Sequence, residues 1–244
     1  MSQRTKPELL IYDFGGCEGC PLSIIRVIVQ LSQIVNVSSR YLGSVDLNRS
    51  YDYAVLTGSI CLDSVRHVET LRKIRENAKI VIAYGSCASV GGITLYARGG
   101  QEPMPEHRKF TSITKLIDVD YSIPGCPPAP QTLISLLSNI KQGRGYFLDL
   151  FKASSYTSKL SGFDLIDEIV LTGLCVGCGA CVLSCPTNAL QMIEGHPDLI
   201  PEKCIRCGSC TVRCPRFSQL LMQRAKLLEK SRILIRGVSG EKHG

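Results

Sequence analysis

The sequence predicts an α/β protein, a parallel sheet with helical crossovers followed by a small cysteine-rich module. Three observations predict it. Over residues 8–145, short apolar runs alternate with amphipathic stretches. The last third of the chain repeats one cysteine spacing twice in tandem. In the first half, four cysteines each lie just past an apolar run.

Taken in order, ELLIYDF (8–14), YDYAVLTG (51–58), AKIVIAYGS (78–86) and VDYSIPG (119–125) read as buried strands. Between them, 21–35, 62–77 and 129–142 read as helices, and Pro21 suits a first helical turn, where a missing N–H costs nothing. Right-handed crossovers follow from parallel strands. Residues 91–118 have no clear period and read as a long loop with one short helix, of the kind that is often functional. The first domain is placed at 1–150, a connector at 151–165, the second module at 166–218, and a basic amphipathic helix with a polar tail at 219–244.

The chain has 244 residues, 44% hydrophobic and 20% charged, and no apolar run of the roughly 18 residues a membrane span requires. Its N-terminus, MSQRTKPELLIYDF, lacks the apolar segment of a secretory signal, so a cytoplasmic location is expected. In that setting 13 cysteines point to metal or redox chemistry rather than to disulfides.

Spacing decides which. Cys175, Cys178, Cys181 and Cys185 with Pro186 fit C-x2-C-x2-C-x3-C-P, and Cys204, Cys207, Cys210 and Cys214 with Pro215 fit it again. This is the bacterial-ferredoxin run, in which three close thiolates clamp one [4Fe-4S] cube and the fourth reaches to the other. Cys175, Cys178, Cys181 and Cys214 are therefore expected to hold one cluster, and Cys204, Cys207, Cys210 and Cys185 its twin. Gly177, Gly179, Gly208 and Ser209 let backbone amides approach the sulfides. Zinc, which also takes C-x2-C pairs, uses two short pairs rather than two runs of four.

Cys17 and Cys20 follow the first strand, Cys87 the strand at 78–86, and Cys126 the strand at 119–125. All four fall beyond the carboxyl ends of parallel strands, the edge where open α/β sheets bind ligands, and are expected to converge on one site. Glycine, serine and proline around them fit loops pressed against a bulky inorganic cluster. Cys61 lies on the same edge but four thiolates already fill a cube, so it is read as free, buried or at an interface. Glu18 is a solvated carboxylate or has a proton-handling or interface role, and His67, His107, His196 and His243 show no ligand spacing.

The formal charge of +7 counts thiolates as neutral. Each cluster with four thiolates carries about −2, so three would bring the protein close to neutrality. With Lys and Arg scattered and no aromatic-interleaved basic patch, a nucleic-acid partner is not expected.

Together, C-x-G-C at Cys17–Cys20, G-S-C at Cys87, G-C-P-P at Cys126–Pro128 and the two-cluster module resemble the small subunit of cytoplasmic [NiFe] hydrogenases, most closely the gamma subunit of the coenzyme F420-reducing type. The resemblance covers nearly the whole chain. It implies a flavodoxin-like first domain with a [4Fe-4S] cluster proximal to a nickel–iron centre in a separate large subunit. It also implies a relay through three [4Fe-4S] clusters to a FAD-containing acceptor subunit, with no catalytic residue in this chain. The related subunit of respiratory complex I places two cysteines side by side, unlike Cys17 and Cys20. Two places depart from the hydrogenase pattern: Leu56–Ser59 stands where a V-E-G-like segment is common, and Pro21 where polar residues are common.

Overall fold

The computed structural model describes residues 6–240, with side chains described throughout except at Tyr146 and 230–240. Its nine strands and eleven helices are those of the described residues. The central strands are β1 (Glu8–Asp13), β2 (Asn36–Ser39), β3 (Tyr51–Thr57), β5 (Ala78–Tyr84) and β7 (Tyr121–Ile123). A two-residue β4 (Ile60–Cys61) pairs antiparallel with β6 (Phe110–Thr111) beside them. The five central strands are all parallel, in the order β2-β1-β3-β5-β7. Counted by themselves, they run 2-1-3-4-5, the flavodoxin order, whose crevice opens at the carboxyl edge where the order reverses between the first strand and the third.

Alternate residues of each strand face opposite layers. Leu9, Ile11, Val55, Ile82, Tyr84 and Ile123 pack under α1 (Gly19–Ile25), α2 (Ile28–Ile34) and α6 (Pro130–Gln142). Leu10, Ala54, Leu56, Val81 and Ala83 pack under α3 (Val65–Asn77), through Leu71 and Ile74. Each fully buried aliphatic side chain contributes roughly 1.5–3 kcal/mol, so the two layers carry this region's stability. Ser64 caps α3 by accepting from the His67 amide. Pro130 opens α6, and Gly143 ends it at φ 66°.

Several expectations are refined. The helix expected over 21–35 is two, broken at Arg26–Val27, where Val27 leaves helical geometry (φ −112°, ψ 19°). The edge strand β2 reads NVSS, too polar to signal a strand. The loop over 91–118 contains α5 (Gly92–Leu95) and two single 3₁₀ turns. The stretch expected as a connector folds: α7 (Gly145–Ser154) and α8 (Gly162–Leu165) put Phe151, Ala153, Leu160 and Leu165 in the interior.

The C-terminal region is built from a π turn (Ile166–Val170), α9 (Ala180–Leu183), an antiparallel hairpin of β8 (Leu190–Ile193) and β9 (His196–Leu199), α10 (Ser209–Arg213) and α11 (Pro215–Gly240). Its core joins Leu165, Ile169, Leu190, Phe217 and Leu221 to Cys181, Cys210 and Cys214, with Val90 and Ala153 entering from the sheet region. The C-terminal helix thus packs on its own chain through Phe217 and Leu221, and the last four residues of the helix and tail expected over 219–244 lie outside the described residues. Among the described residues no helix is long and apolar enough to cross a membrane.

Candidate metal centres

Two neighbouring cavities in the C-terminal region are each lined by four cysteines. Cys185, Cys204, Cys207 and Cys210 line one, with Gly162, Leu199 and Arg206. Cys175, Cys178, Cys181 and Cys214 line the other, with Leu165, Ile169 and Pro197. In each cavity three cysteines come from one run and the fourth from the other, because α9 and α10 pack together and carry the last cysteine of each run across.

The electrostatics follow the same grouping. Burial, then the charges of Cys207, Cys204 and Cys185, raise the Cys210 thiol well above its usual range, and Cys181 is the next neighbour it feels. Burial and Cys214 push Cys181 up to about 11. Cys185 runs the other way. Burial raises it, but the amides of Thr187, Ala189 and Leu190 and the Thr187 hydroxyl together outweigh that and lower its pKa. The Ala189 amide donates to its sulfur at 3.1 Å.

At the carboxyl edge of the sheet, the other four cysteines converge. Cys20, at the start of α1, is raised by burial and then by Cys87, Cys126 and Cys17. Cys126 is pushed up to about 12 by burial, Cys87, Cys207 and Cys17. Cys87 lies in α4 (Ser86–Val90) and is raised by burial and then by Cys17, with a Thr94 hydrogen bond opposing. Cys17 is exposed, as are Gly15, Gly16 and Glu18 around it, so this group opens to the surface. The backbone must come close here. A Cβ on Gly85, at φ 97°, would fall 2.3 Å from the Cys20 sulfur. Gly15 meets the β3 end through Ser59 N donating to Gly15 O at 3.1 Å, on the edge where Leu56–Ser59 departs from the expected pattern.

Two residues that sequence patterns do not single out organise this edge. Tyr84, fully buried at the end of β5, donates to the Pro128 carbonyl at 3.0 Å, and its oxygen lies 3.0 Å from Ser23 Oγ. Ser23 Oγ donates to the Cys20 carbonyl at 2.8 Å. The two hydroxyls thus lie in contact across the end of the sheet, one anchoring the Cys20 helix and the other the Cys126 loop. The one available signal is a hydroxyl-bearing ring ending an otherwise apolar buried strand. Cys61 pairs with Phe110 in the short β4–β6 ladder and donates its amide toward His67 Nδ1 at 3.4 Å, which makes it part of the local fold.

The two regions meet at a tight seam. Ser86 Oγ, beside Cys87, donates to the carbonyl of Arg206, beside Cys207, at 3.1 Å. The Gly99 amide donates to the Cys204 carbonyl at 2.7 Å. Gly208 sits so close to Pro124 that a Cβ would fall 2.8 Å from the Pro124 Cβ. The three cysteine groups therefore form a row, with the second group set against the sheet edge by this seam and against the third by the packing of Cys210 with Cys181 and Cys214.

The donor set fits iron–sulfur clusters. A single zinc ion holds its thiolates about 2.3 Å from one point, and among the described residues no three His, Cys, Asp or Glu side chains converge in that way. In the C-terminal region the eight cysteines instead surround two cavities. Burial raises the thiols of Cys20, Cys87, Cys126, Cys181, Cys207 and Cys210, which favours their protonated form until a cation replaces the proton.

Comparison with known proteins agrees. Residues 17–140 match the family described as NADH ubiquinone oxidoreductase, 20 Kd subunit. Residues 168–228 match the 4Fe-4S dicluster domain. The gamma subunit of the coenzyme F420 hydrogenase of Methanococcus voltae is 32% identical over 205 residues, covering 75% of this chain and 84% of that protein. Its counterpart from Methanosarcina barkeri is 36% identical over 199 residues, covering 75% and 77%. A subunit of the F420-non-reducing hydrogenase of Methanothermobacter marburgensis is 29% identical over 160 residues, covering 53% of this chain and 51% of that protein. A flavodoxin-order sheet with a cysteine group at its carboxyl edge, followed by a 4Fe-4S dicluster region, places this chain in the oxidoreductase family of the NADH ubiquinone oxidoreductase 20 Kd subunit and the [NiFe] hydrogenase small subunits.

Proposed function

We propose that the chain is the electron-transfer small subunit of a cytoplasmic [NiFe] hydrogenase complex that reduces coenzyme F420. On this reading Cys17, Cys20, Cys87 and Cys126 hold the proximal [4Fe-4S] cluster. Cys185, Cys204, Cys207 and Cys210 hold a second, and Cys175, Cys178, Cys181 and Cys214 a third. The bound clusters supply one-electron redox sites. The chain's own residues grip them, shelter the cavity of the buried Cys204, Cys207 and Cys210 from water and fix their order.

The observation that carries the reading is the row of cysteine groups. It has an open end at Cys17 on the sheet edge and a second open end at Cys178, which is exposed. A relay needs both ends accessible and its middle buried, and Cys204, Cys207 and Cys210 are all buried. At the first end the exposed Gly15, Gly16, Glu18 and Leu22 offer a face for a large subunit with a nickel–iron centre. At the other, Val176 lies beside Cys178 and is 58% exposed, and Leu171 and Leu174, a few residues earlier in the chain, are 75% and 47% exposed, apolar surface suited to a FAD-containing acceptor subunit. F420 as the final acceptor is supported by the two gamma subunits, which match far more of this chain than the F420-non-reducing relative does.

A second reading keeps the relay but gives it a large subunit without a nickel–iron site. It is favoured by the departures at Pro21 and Leu56–Ser59, since Ser59 hydrogen-bonds Gly15 on the open edge. Anaerobic purification of the native complex through this chain separates the two. Nickel in the copurifying large subunit, with hydrogen-dependent reduction of F420, is the expected result. An intact complex without nickel, whose iron–sulfur absorbance hydrogen does not bleach, moves the function to the second reading.

A further inference from the structure

We infer that Arg206 sets the potential of the cluster held by Cys185, Cys204, Cys207 and Cys210, raising it above that of the other cluster in the C-terminal region, with Tyr96 holding the charge in place. This rests on the reading above that the cavity takes a [4Fe-4S] cluster.

Four cations stand in or beside the second cysteine run: Lys203, Arg206, Arg213 and Arg216. Three of them are exposed, and only Arg206 is half-buried and lines this cavity. Arg216, on the rim of the other cavity, is exposed. Exposed charges are screened by water and salt far more than sheltered ones, so Arg206 acts on its neighbouring site most strongly.

Its partners reinforce this. The guanidinium carbon lies 4.3 Å from the Tyr96 ring centroid and 5.9 Å from that of Phe163. Among the described residues no carboxylate forms an ion pair with it. An aromatic face positions a cation without neutralising it, whereas a carboxylate would cancel the charge. The backbone is pinned as well, with the Arg206 carbonyl held by Ser86 Oγ at 3.1 Å. Tyr96 is buried and belongs to the loop that the Gly99–Cys204 hydrogen bond fastens to the same site. A loop of the sheet region thus places a full positive charge beside a site in the C-terminal region. Positive charge favours the more negative, reduced form of a cluster.

The test is a redox titration of the purified complex followed by electron paramagnetic resonance, with the component identified by its loss in Cys204→Ser. Arg206→Gln is expected to lower the reduced-to-oxidised ratio of that component about tenfold at a fixed poise, a fall of about 59 mV for one electron. Arg206→Gly should do the same, and the φ of 52° at this position suits glycine, so folding is protected. Tyr96→Leu should shift the midpoint in the same direction by less, and Lys203→Gln by little. A full iron complement with an unmoved midpoint in both Arg206 variants overturns the inference, as does an equal shift in Lys203→Gln. Absence of any [4Fe-4S] signal in the unaltered protein would overturn the functional reading first, and this inference with it.

Discussion

The sheet region and the C-terminal region hold their cysteines by opposite means. In the sheet region two apolar layers, with Leu9, Ile11, Val55 and Ile82 on one side and Leu10, Leu56 and Val81 on the other, form a core in which strand and helix side chains do the packing. At the edge of that frame Cys17 and Cys126 sit on loops, and Cys20 and Cys87 in the first turns of short helices. In the C-terminal region Cys181, Cys210 and Cys214 are core residues themselves, packed with Leu165, Ile169 and Phe217. One region is a scaffold that carries a site. The other is a site that supplies much of its own scaffold, and its stability is coupled to what it binds.

The most forceful way to break this contrast is to remove the iron. Chelation under anaerobic conditions is expected to abolish amide-exchange protection across 166–221 while β1, β3 and β5 stay protected. Loss of protection in both regions together would show that the sheet layers also depend on the clusters.

Next in size is a test of the crossed ligands. Cys185→Ser should cost the cluster shared with Cys204, Cys207 and Cys210, and leave the one that shares its run, on Cys175, Cys178 and Cys181. Cys214→Ser should give the reverse. Spectra showing that each variant loses the cluster of its own run would overturn the grouping seen in the two cavities.

The smallest effect sharpens the sheet side. Tyr84→Phe removes the hydroxyl that donates to the Pro128 carbonyl and touches Ser23 Oγ, a loss on the order of 1–2 kcal/mol. The frame should stay folded, with an unchanged melting profile to within a few degrees, while iron at the edge site is lost several-fold faster on exposure to air. Unchanged iron loss would reduce Tyr84 to a packing residue.

How much of this was legible in the sequence also divides along the two regions. The strands of the sheet announce themselves as apolar runs because both faces are buried, and α3 and α6 carry clear caps. The edge strand β2 hides because its four residues are NVSS. The hairpin of β8 and β9 hides because three of the four β8 residues are exposed. The two cysteine runs are readable because their geometry is local. The four edge cysteines span residues 17–126, and only a parallel-sheet argument brings them to one edge. Tyr84 and the Tyr96–Arg206 contact were out of reach, since each joins segments 44 or more residues apart, and no local pattern encodes which ring meets which partner.

Whether one chain holds three clusters in a row is decided most directly by iron and acid-labile sulfide per copy of this chain in the anaerobically purified complex, corrected for the iron of its partners. About twelve of each are expected, falling to about eight in a Cys20→Ser, Cys126→Ser double variant. About eight of each in the unaltered protein, with no change in the double variant, would contradict the three-cluster row, because the sheet edge would then hold no cluster.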